Sequence, residues 1–206
     1  GAGPYTMESG NSISAVAGKV TAGNVTVNDT ISVAVTTVAS GHDSAIKADG
    51  ITLTKSGFSL KITDSNPIVL LKDVVTNAGA VTLDGSVSVS GTGTVTVSSG
   101  SGAGDIDFTN TVDGNSGYAN PFTVNAGTGK VTFENPVGSS RGIGTCSVSA
   151  EGGITAKGRF IADSLIFAAS SSTEIALYGN IATNKKAAQF NTPVVLYNDI
   201  QITTGE

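Results

Sequence analysis

Tryptophan is absent from this chain, cysteine and histidine each occur once, and aromatic residues make up only 5% of its 206 residues. Because Cys146 has no second cysteine to pair with, an intrachain disulfide is excluded. Charged residues make up 13% of the chain, against about 25% in ordinary globular domains. No run of about 18 apolar residues occurs, so the sequence predicts no transmembrane helix. Ser, Thr, Asn and Gly must cover most of the surface, which suits secreted and cell-surface β proteins better than cytosolic enzymes.

Basic residues are also scarce, and this excludes a further class of partner. The chain has 11 Lys and Arg against 16 Asp and Glu, a net charge of −5, and only Lys185 and Lys186 are adjacent basic residues. A nucleic-acid-binding surface requires a clustered stripe of Lys and Arg, and an anionic membrane surface attracts basic clusters. We therefore expect no nucleic-acid partner and no insertion into a membrane.

Glycine, by contrast, is abundant at 27 residues, and apolar residues make up 39% of the chain. Residues 105–138, DIDFTNTVDGNSGYANPFTVNAGTGKVTFENPVG, show how the two classes are arranged. Short alternating stretches such as Phe122–Val124 and Val131–Phe133 are separated by Gly, Asn and Asp. Alternation is typical of half-buried strands, and these separating residues favour tight turns. The sequence thus predicts an all-β fold of short strands.

The same pattern predicts strands along the whole chain. They are Ser12–Ala17, Val25–Val27, Ile31–Val38, Ile51–Thr54, Phe58–Ile62, Ile68–Leu71, Val81–Leu83, Val87–Val89, Val95–Val97, Ile106–Phe108, Phe122–Val124, Val131–Phe133, Cys146–Val148, Phe160–Ile161, Leu165–Phe167, Ile175–Leu177, Val194–Leu196 and Ile200–Thr203. The best competing helix spans Asn66–Ala78, with Asn66 as N-cap and Pro67 at the first helical position.

Similar strands recur at nearly constant steps. Val81 to Ile106 and Ile106 to Val131 are each 25 residues, Phe122 to Cys146 is 24, and Val131 to Ile154 is 23. Steps of this size are typical of solenoid repeats. We therefore predict a parallel β-solenoid with coils of about 20–25 residues. The alternative is a β-sandwich, whose strands also recur at short intervals, but whose core usually contains larger aromatic anchors than this sequence supplies.

Residues 106–138, with FTNTVDGNSG, FTVNAGTGKVTF and NPVG, resemble repeats of the filamentous haemagglutinin family of large bacterial exoproteins. AVTLDGSVSVS (80–90) and VVLYNDIQITTG (194–205) resemble other pieces of the same repeats. The resemblance implies a right-handed parallel β-helix that is exported and serves in adhesion or filament formation. It departs from the family at Ser139–Arg141 and at Lys185–Lys186. Residues 1–60 match it only loosely, so we predict an N-terminal β region, a cap or a separate module, over 1–60 and solenoid repeats over 61–206.

A group of acidic and amide residues suggests a surface calcium site. Asp105, Asp107, Asn110 and Asp113 lie close in sequence, and Asp105 and Asp107 would share one face of a strand. The EF-hand spacing is absent, and solvated turn residues of these types are the alternative explanation.

Candidate catalytic residues are few and scattered. Cys146 alternates with Val148 as a buried strand residue would, and nothing in the sequence links it to His42. The carboxylates of Glu8, Glu134, Glu151 and Glu174 are isolated in sequence, and Lys157 with Arg159 is the one candidate for binding an acidic sugar. A carbohydrate-active β-helix enzyme would require paired carboxylates across a cleft. Tyr118, Tyr178 and Tyr197 are candidates for lining an adhesive face.

We therefore assign no catalytic, cofactor-binding or metal-binding residue and expect no cofactor. The sequence favours a structural or adhesive segment of a secreted or surface-exposed bacterial protein: a stalk, adhesin or filament component without catalysis. The alternatives are a self-assembling subunit of an extracellular fibre and, less favoured, the β-helix enzyme. As partners we expect continuation of the same solenoid, self-association, or a host glycan or surface protein.

Overall fold

A computed structural model describes residues 4–7, 13–39, 47–184 and 186–205, and no helix occurs within these ranges. The strands are β1 (Tyr5–Met7), β2 (Ala15–Val16), β3 (Gly18–Val20), β4 (Val25–Asp29), β5 (Ala34–Val35), β6 (Thr37–Ala39), β7 (Lys47–Asp49), β8 (Ile51–Leu53), β9 (Leu60–Asp64), β10 (Ile68–Leu70), β11 (Val74–Val75), β12 (Val81–Asp84), β13 (Val87–Val89), β14 (Val95–Ser98), β15 (Ile106–Phe108), β16 (Val112–Gly114), β17 (Phe122–Asn125), β18 (Val131–Phe133), β19 (Ile143–Ala150), β20 (Ile154–Ala156), β21 (Phe160–Ala169), β22 (Ile175–Leu177), β23 (Ile181–Thr183), β24 (Ala188–Phe190), β25 (Val194–Leu196) and β26 (Ile202–Thr204).

These strands form a parallel β-solenoid with three faces. The first face is the nine-stranded sheet β1-β4-β9-β12-β15-β18-β20-β22-β25. The second begins as β2-β5-β10-β13-β16 and continues through a bridge at Val137 to β21, β23 and β26. The third runs β3-β8-β11-β14-β17-β19-β21-β24, and the long strand β21 belongs to both of the last two faces. Within the described ranges, only β6 and β7 pair in antiparallel orientation.

Residues of successive coils lie directly over one another. On the first face, Tyr5, Val25, Leu60, Val81, Ile106, Val131, Ile154, Ile175 and Val194 are in register, which gives steps of 20, 35, 21, 25, 25, 23, 21 and 19 residues. All four steps predicted from the sequence are strand pairings in the structure, including Phe122 with Cys146. The β-solenoid prediction is confirmed, and the β-sandwich alternative is wrong.

The core lies inside the triangle of sheets, because every strand turns alternate residues inward. On the first face, Ile62, Leu83, Phe108 and Phe133 are consecutive members of one buried column. Threonines such as Thr82 lie between the inward positions and face outward, where their β-branched side chains favour the strand without exposing hydrocarbon. One coil could not bury its apolar face alone, so stability comes from stacking on the neighbouring coils.

Phenylalanine supplies the large core side chains that the absence of tryptophan would otherwise leave missing. Phe108 and Phe133 stack with their ring centroids 4.9 Å apart and planes 5° from parallel. Edge-to-face contacts connect this pair to the other core rings, at Phe108–Phe122, Phe133–Phe160, Phe160–Phe167 and Phe167–Phe190. Aromatic pairs in these geometries each contribute about 0.5–1.5 kcal/mol beyond their buried area. The chain of rings therefore connects the middle coils to the C-terminal ones.

Polar groups stabilise the corners between the first and second faces. The buried carboxylate of Asp29 accepts hydrogen bonds from the Ile13 and Thr30 amides at 2.8 and 2.7 Å. One coil later, Asp64 accepts from the Val33 amide at 3.0 Å and from the Asn66 amide at 2.8 Å. Each carboxylate thus satisfies an N–H of its own turn and one of the coil before, where the strand ladder is interrupted.

One corner depends on a glycine. Gly138 has φ = 70°, and a Cβ atom there would lie 2.1 Å from the carbonyl oxygen of Ile161 in the next coil. Both the left-handed backbone and the close approach exclude an ordinary side chain at this position.

The predicted helix at Asn66–Ala78 is wrong, because this segment forms β10 and β11. Ile68 pairs with Val87, and Val74 pairs with both Ile51 and Val97. β-Branched residues that lie under and over neighbouring coils favour the strand over the helix. Eight strands were not predicted, namely β1, β3, β7, β11, β16, β20, β23 and β24. The domain boundary at residue 60 stays a prediction. β4 and β9, on either side of it, pair over five residues.

Candidate binding surface

The outward positions of the first face form three columns that run along the solenoid. Column A, just before each strand, contains Asn24, Ser59, Ala80, Asp105, Lys130, Gly153, Glu174 and Pro193; column B contains Thr26, Lys61, Thr82, Asp107, Thr132, Thr155, Ala176 and Val195; column C contains Asn28, Thr63, Asp84, Thr109, Glu134, Lys157, Tyr178 and Tyr197. Adjacent members of a column are one strand spacing apart, about 4.8 Å, so each column places consecutive side chains in contact range.

Charged groups in the middle coils neutralise one another. Lys61 Nζ lies 3.0 Å from Asp84 Oδ2, and the Thr109 hydroxyl donates to Asp84 Oδ1 at 2.9 Å. These hydrogen bonds, that from Lys61 first, lower the pKa of the Asp84 carboxyl. Two coils further on, Lys157 Nζ lies 2.5 Å from Glu134 Oε2, and this contact raises the pKa of Lys157. Both ion pairs are partly exposed, where such pairs contribute about 0–1 kcal/mol.

Asp107 is the exception among these carboxylates. It lies in column B between Thr82 and Thr132, and its Oδ1 atom is buried without a hydrogen-bond partner among the described residues. Burial, and then the negative charge of Glu134, raise the pKa of the Asp107 carboxyl. A carboxylate in this position is a local cost to the fold rather than a stabilising group.

Two tyrosines stack on the outer surface of the last two coils. The rings of Tyr178 and Tyr197 have centroids 4.5 Å apart and planes 4° from parallel. They are 36% and 48% exposed. The Tyr197 hydroxyl donates to Glu174 Oε1 at 3.0 Å, and this hydrogen bond and the Glu174 charge raise the pKa of Tyr197.

This hydrogen bond shows how the tyrosines are placed. Glu174 precedes its strand whereas Tyr197 follows the next one, so column positions four residues apart, about 13 Å, are bridged. The Tyr197 side chain must therefore lie across the outer face of the strands. Ala176 lies between these columns and is only 4% exposed although it points outward, as expected beneath a covering side chain.

An open groove adjoins the tyrosine pair. It is lined by Lys130, Gly152–Thr155, Ser171–Glu174, Pro193 and Val195. The turn Ser171–Thr173 forms one side and is held by Thr173, whose hydroxyl donates to the Glu151 carbonyl at 2.8 Å. The lining combines hydroxyls, one cation, one carboxylate and aliphatic carbon, which is the composition of a binding surface.

The residues predicted to bind calcium do not come together. Asp105 and Asp107 share the outward side of the first face, but Asp105 Oδ1 accepts from the Lys130 amide at 2.7 Å. Asp113 lies on the second face, where its Oδ1 accepts from the Ser140 amide at 2.9 Å. The Asn110 side chain accepts from the adjacent Thr111 amide. Across the described ranges, no group of three or more His, Cys, Asp or Glu side chains is placed to hold a metal ion.

The candidate catalytic residues are likewise apart. Cys146 is fully buried, and burial raises the pKa of its thiol to about 12, so the thiolate does not form at neutral pH. His42 and Glu8 lie outside the described residues. Lys157 is engaged by Glu134 rather than by a free site with Arg159. Lys185 of the adjacent lysine pair also lies outside the described residues, and Lys186 contacts Asp163 at 2.5 Å.

Sequence reasoning named Tyr178 and Tyr197 but did not bring them together. They are 19 residues apart, which is the length of the last coil, whereas the predicted steps were 23–25 residues. The third candidate, Tyr118, lies on a different part of the surface with its ring against Gly142. Matching aromatic residues across steps as short as 19 would have found the pair.

Comparisons with protein-family models, with curated proteins and with solved structures found no significant match. None of the described residues forms a helix long and apolar enough to cross a membrane. The class that the structure itself defines is that of a repetitive parallel β-solenoid, of about eight coils.

Proposed function

We propose that this chain is a structural and adhesive segment of a secreted or surface-exposed bacterial protein: a stalk, adhesin or filament component that performs no catalysis. The solenoid fold is compatible with such a role, since it extends along one axis and exposes long side faces. The resemblance of 106–138 to filamentous haemagglutinin repeats supports the same proposal. So does the mutual neutralisation of Lys157 and Glu134, which leaves neither group available as a catalytic acid or base.

The observation that carries the proposal is that both ends of the described solenoid are open. At one end, Leu196 and Ile202 are 50% and 46% exposed although they occupy strands of the last coil. At the other, an apolar cleft is lined mainly by Tyr5, Met7, Val16 and Val20. Open parallel edges with exposed core columns favour addition of another coil. That coil is supplied either by further residues of the same polypeptide or by a second copy, which would make the chain a fibre subunit.

Size-exclusion chromatography with negative-stain imaging of the 206-residue chain tests this proposal. Discrete rods one molecule long support a stalk or adhesin segment. Filaments with a regular axial repeat support the self-assembling subunit. Compact particles without a long axis would contradict both.

A charged residue at the open end distinguishes stacking from other association. We expect Leu196→Lys or Ile202→Lys to abolish filaments or end-to-end dimers, because a buried lysine at the joint is costly. The matched control is Thr132→Lys, which places the same charge on the side of the solenoid. Equal loss of association in the control would show that the ends are not the contact.

A further inference from the structure

The last two coils depart from the rest of the first face. In its first six coils, column B carries threonine, lysine or aspartate, and in the last two it carries Ala176 and Val195. Column C changes from polar and charged residues to Tyr178 and Tyr197, and column A ends at Pro193. We call the set Glu174, Ala176, Tyr178, Pro193, Val195 and Tyr197 the tyrosine patch. Internal repeats give each position its own reference, so this switch from polar to apolar and aromatic residues marks a surface with a separate role.

The size of the tyrosine patch restricts what can bind there. It covers two strands and about five residues of each, which corresponds to roughly 10 by 16 Å, or about 160 Å². A stable protein partner needs about 800 Å² on each side. The patch is therefore too small for a protein–protein interface of its own and fits a ligand one or two rings wide.

We propose that the tyrosine patch and its adjoining groove bind a neutral saccharide chain. A sugar ring has an apolar C–H side that packs on aromatic and aliphatic carbon, and hydroxyls that need hydrogen-bond partners at its rim. The patch supplies the first through Tyr197, Val195 and Pro193. Tyrosine is suited to such surfaces because its ring is apolar and its hydroxyl is polar.

The groove supplies the polar partners. Glu174 Oε1 accepts from the Tyr197 hydroxyl, and its Oε2 has no hydrogen-bond partner among the described residues, so it is available to accept from a ligand hydroxyl. Thr155 and Ser172 contribute further hydroxyl groups to the lining. A few placed polar groups on a mainly apolar surface are what fixes the orientation of a small ligand.

Charge favours a neutral sugar over an acidic one. Lys130 and Glu174 both line the groove, so neither sign dominates there, and the chain as a whole carries a net charge of −5. The negative field of the protein disfavours the approach of a polyanionic glycan. This assignment rests on the adhesive role proposed above and names the site and the ligand class for it.

Isothermal titration calorimetry of the intact chain tests the assignment. The probes are hexamers of β-1,4-linked glucose, of β-1,4-linked N-acetylglucosamine and of β-1,4-linked galactose. We expect at least one of them to bind with a Kd near or below about 1 mM. No heat from any probe at about 10 mM would overturn the proposal, and so would binding of an acidic polysaccharide alone.

Variants test whether the tyrosine patch is the site. We expect Tyr197→Ala to weaken binding about tenfold or more, since it removes the stacking ring, and Tyr197→Phe to weaken it less. A gentler variant, Val195→Thr, restores the residue type of the other coils and is also expected to weaken binding. The control is Tyr118→Ala, which removes an exposed tyrosine elsewhere and should leave Kd unchanged. Equal effects of Tyr118→Ala and Tyr197→Ala would overturn the assignment.

Imaging of the same samples separates this inference from the proposed function. Rods that bind no saccharide would refute the tyrosine patch alone. Compact particles would refute the stalk or adhesin role. Dimers that Tyr197→Ala dissolves would identify the patch as a protein contact and would also overturn the saccharide assignment.

Discussion

Two buried aspartates accept backbone hydrogen bonds where the solenoid turns its corner, and Asp64 allows the cleaner test. Replacement by alanine leaves the Val33 and Asn66 amides without their acceptor. Each unsatisfied buried donor costs about 1–3 kcal/mol, so we expect Asp64→Ala to lower the free energy of unfolding by about 2–4 kcal/mol in urea denaturation. Asp199→Ala, at an exposed position, should change it by less than about 0.5 kcal/mol. Equal midpoints for the two variants would contradict this role.

Asp107 should behave in the opposite way. Its pKa is raised in the folded protein, so the folded state holds this proton more tightly than the unfolded chain. Its carboxyl therefore favours folding below the unfolded pKa near 3.8, and this contribution is lost as the pH rises through the higher folded value. We expect Asp107→Thr, which continues the threonines of column B, to stabilise the protein at pH 7 and to have little effect at pH 3. Thermal melts at both pH values measure this.

Asp84 serves as the control for that pH dependence, because its pKa is lowered by Lys61 and Thr109. Its contribution is present at neutral pH and is lost as the pH falls through the lowered folded value. Asp84→Asn should therefore destabilise the protein at pH 7, by no more than about 1 kcal/mol for so exposed a pair. Shifts of the same sign in the Asp84 and Asp107 variants would refute the assignment of one carboxyl as favourable and the other as costly.

Among the structural elements, the stacked pair of β15 and β18 concentrates core area that the sequence otherwise lacks. Phe133 contacts both Phe108 below it and Phe160 in a later coil. We expect Phe133→Ala to cost about 3–5 kcal/mol of unfolding free energy, and Phe133→Leu clearly less, because the smaller change leaves less cavity. Thr132→Ala, on the outward side of the same strand, is the matched control. If all three variants unfolded alike, the ring stack would not be what stabilises these coils.

The elements that the sequence predicted are those with an alternating apolar pattern of their own. Val81–Leu83 and Ile106–Phe108 were found in this way, and their spacing predicted their register. β11 and β16 were missed because two or three residues carry no measurable period; the strands on either side of them in the stack define them. The coil of 35 residues was also missed, since nothing in its composition indicates that the β6–β7 hairpin interrupts the repeat.

The binding surface was harder to predict for a related reason. Its residues are separated by one coil, so contact depends on the length of that coil rather than on local sequence. The pairing of Tyr178 with Tyr197 requires the register of β22 and β25, which is shorter than the repeats that dominate the chain. The bond from Tyr197 to Glu174 spans two coils and four column positions, and no local pattern encodes it.

For the solenoid as one cooperative body, the single cysteine reports opening. Cys146 is fully buried with its thiol pKa raised to about 12, and only the thiolate reacts readily. We expect alkylation of the native protein to be at least about a thousandfold slower than in denaturant, because it must await unfolding of the surrounding coils. Alkylation rates with and without guanidinium measure this. Comparable rates would mean that the coils around β19 open locally.

The direction of the backbone hydrogen bonds has a mechanical consequence. Because the strands of successive coils are parallel and stacked, the bonds between coils point along the solenoid axis. A force pulling on the two ends therefore loads these bonds in tension, one coil at a time, rather than shearing a whole sheet at once. Each coil of 25 residues would release about 80–90 Å of chain when it peels away. A segment of this kind would lengthen in steps under flow, each released coil relieving the tension on those that remain.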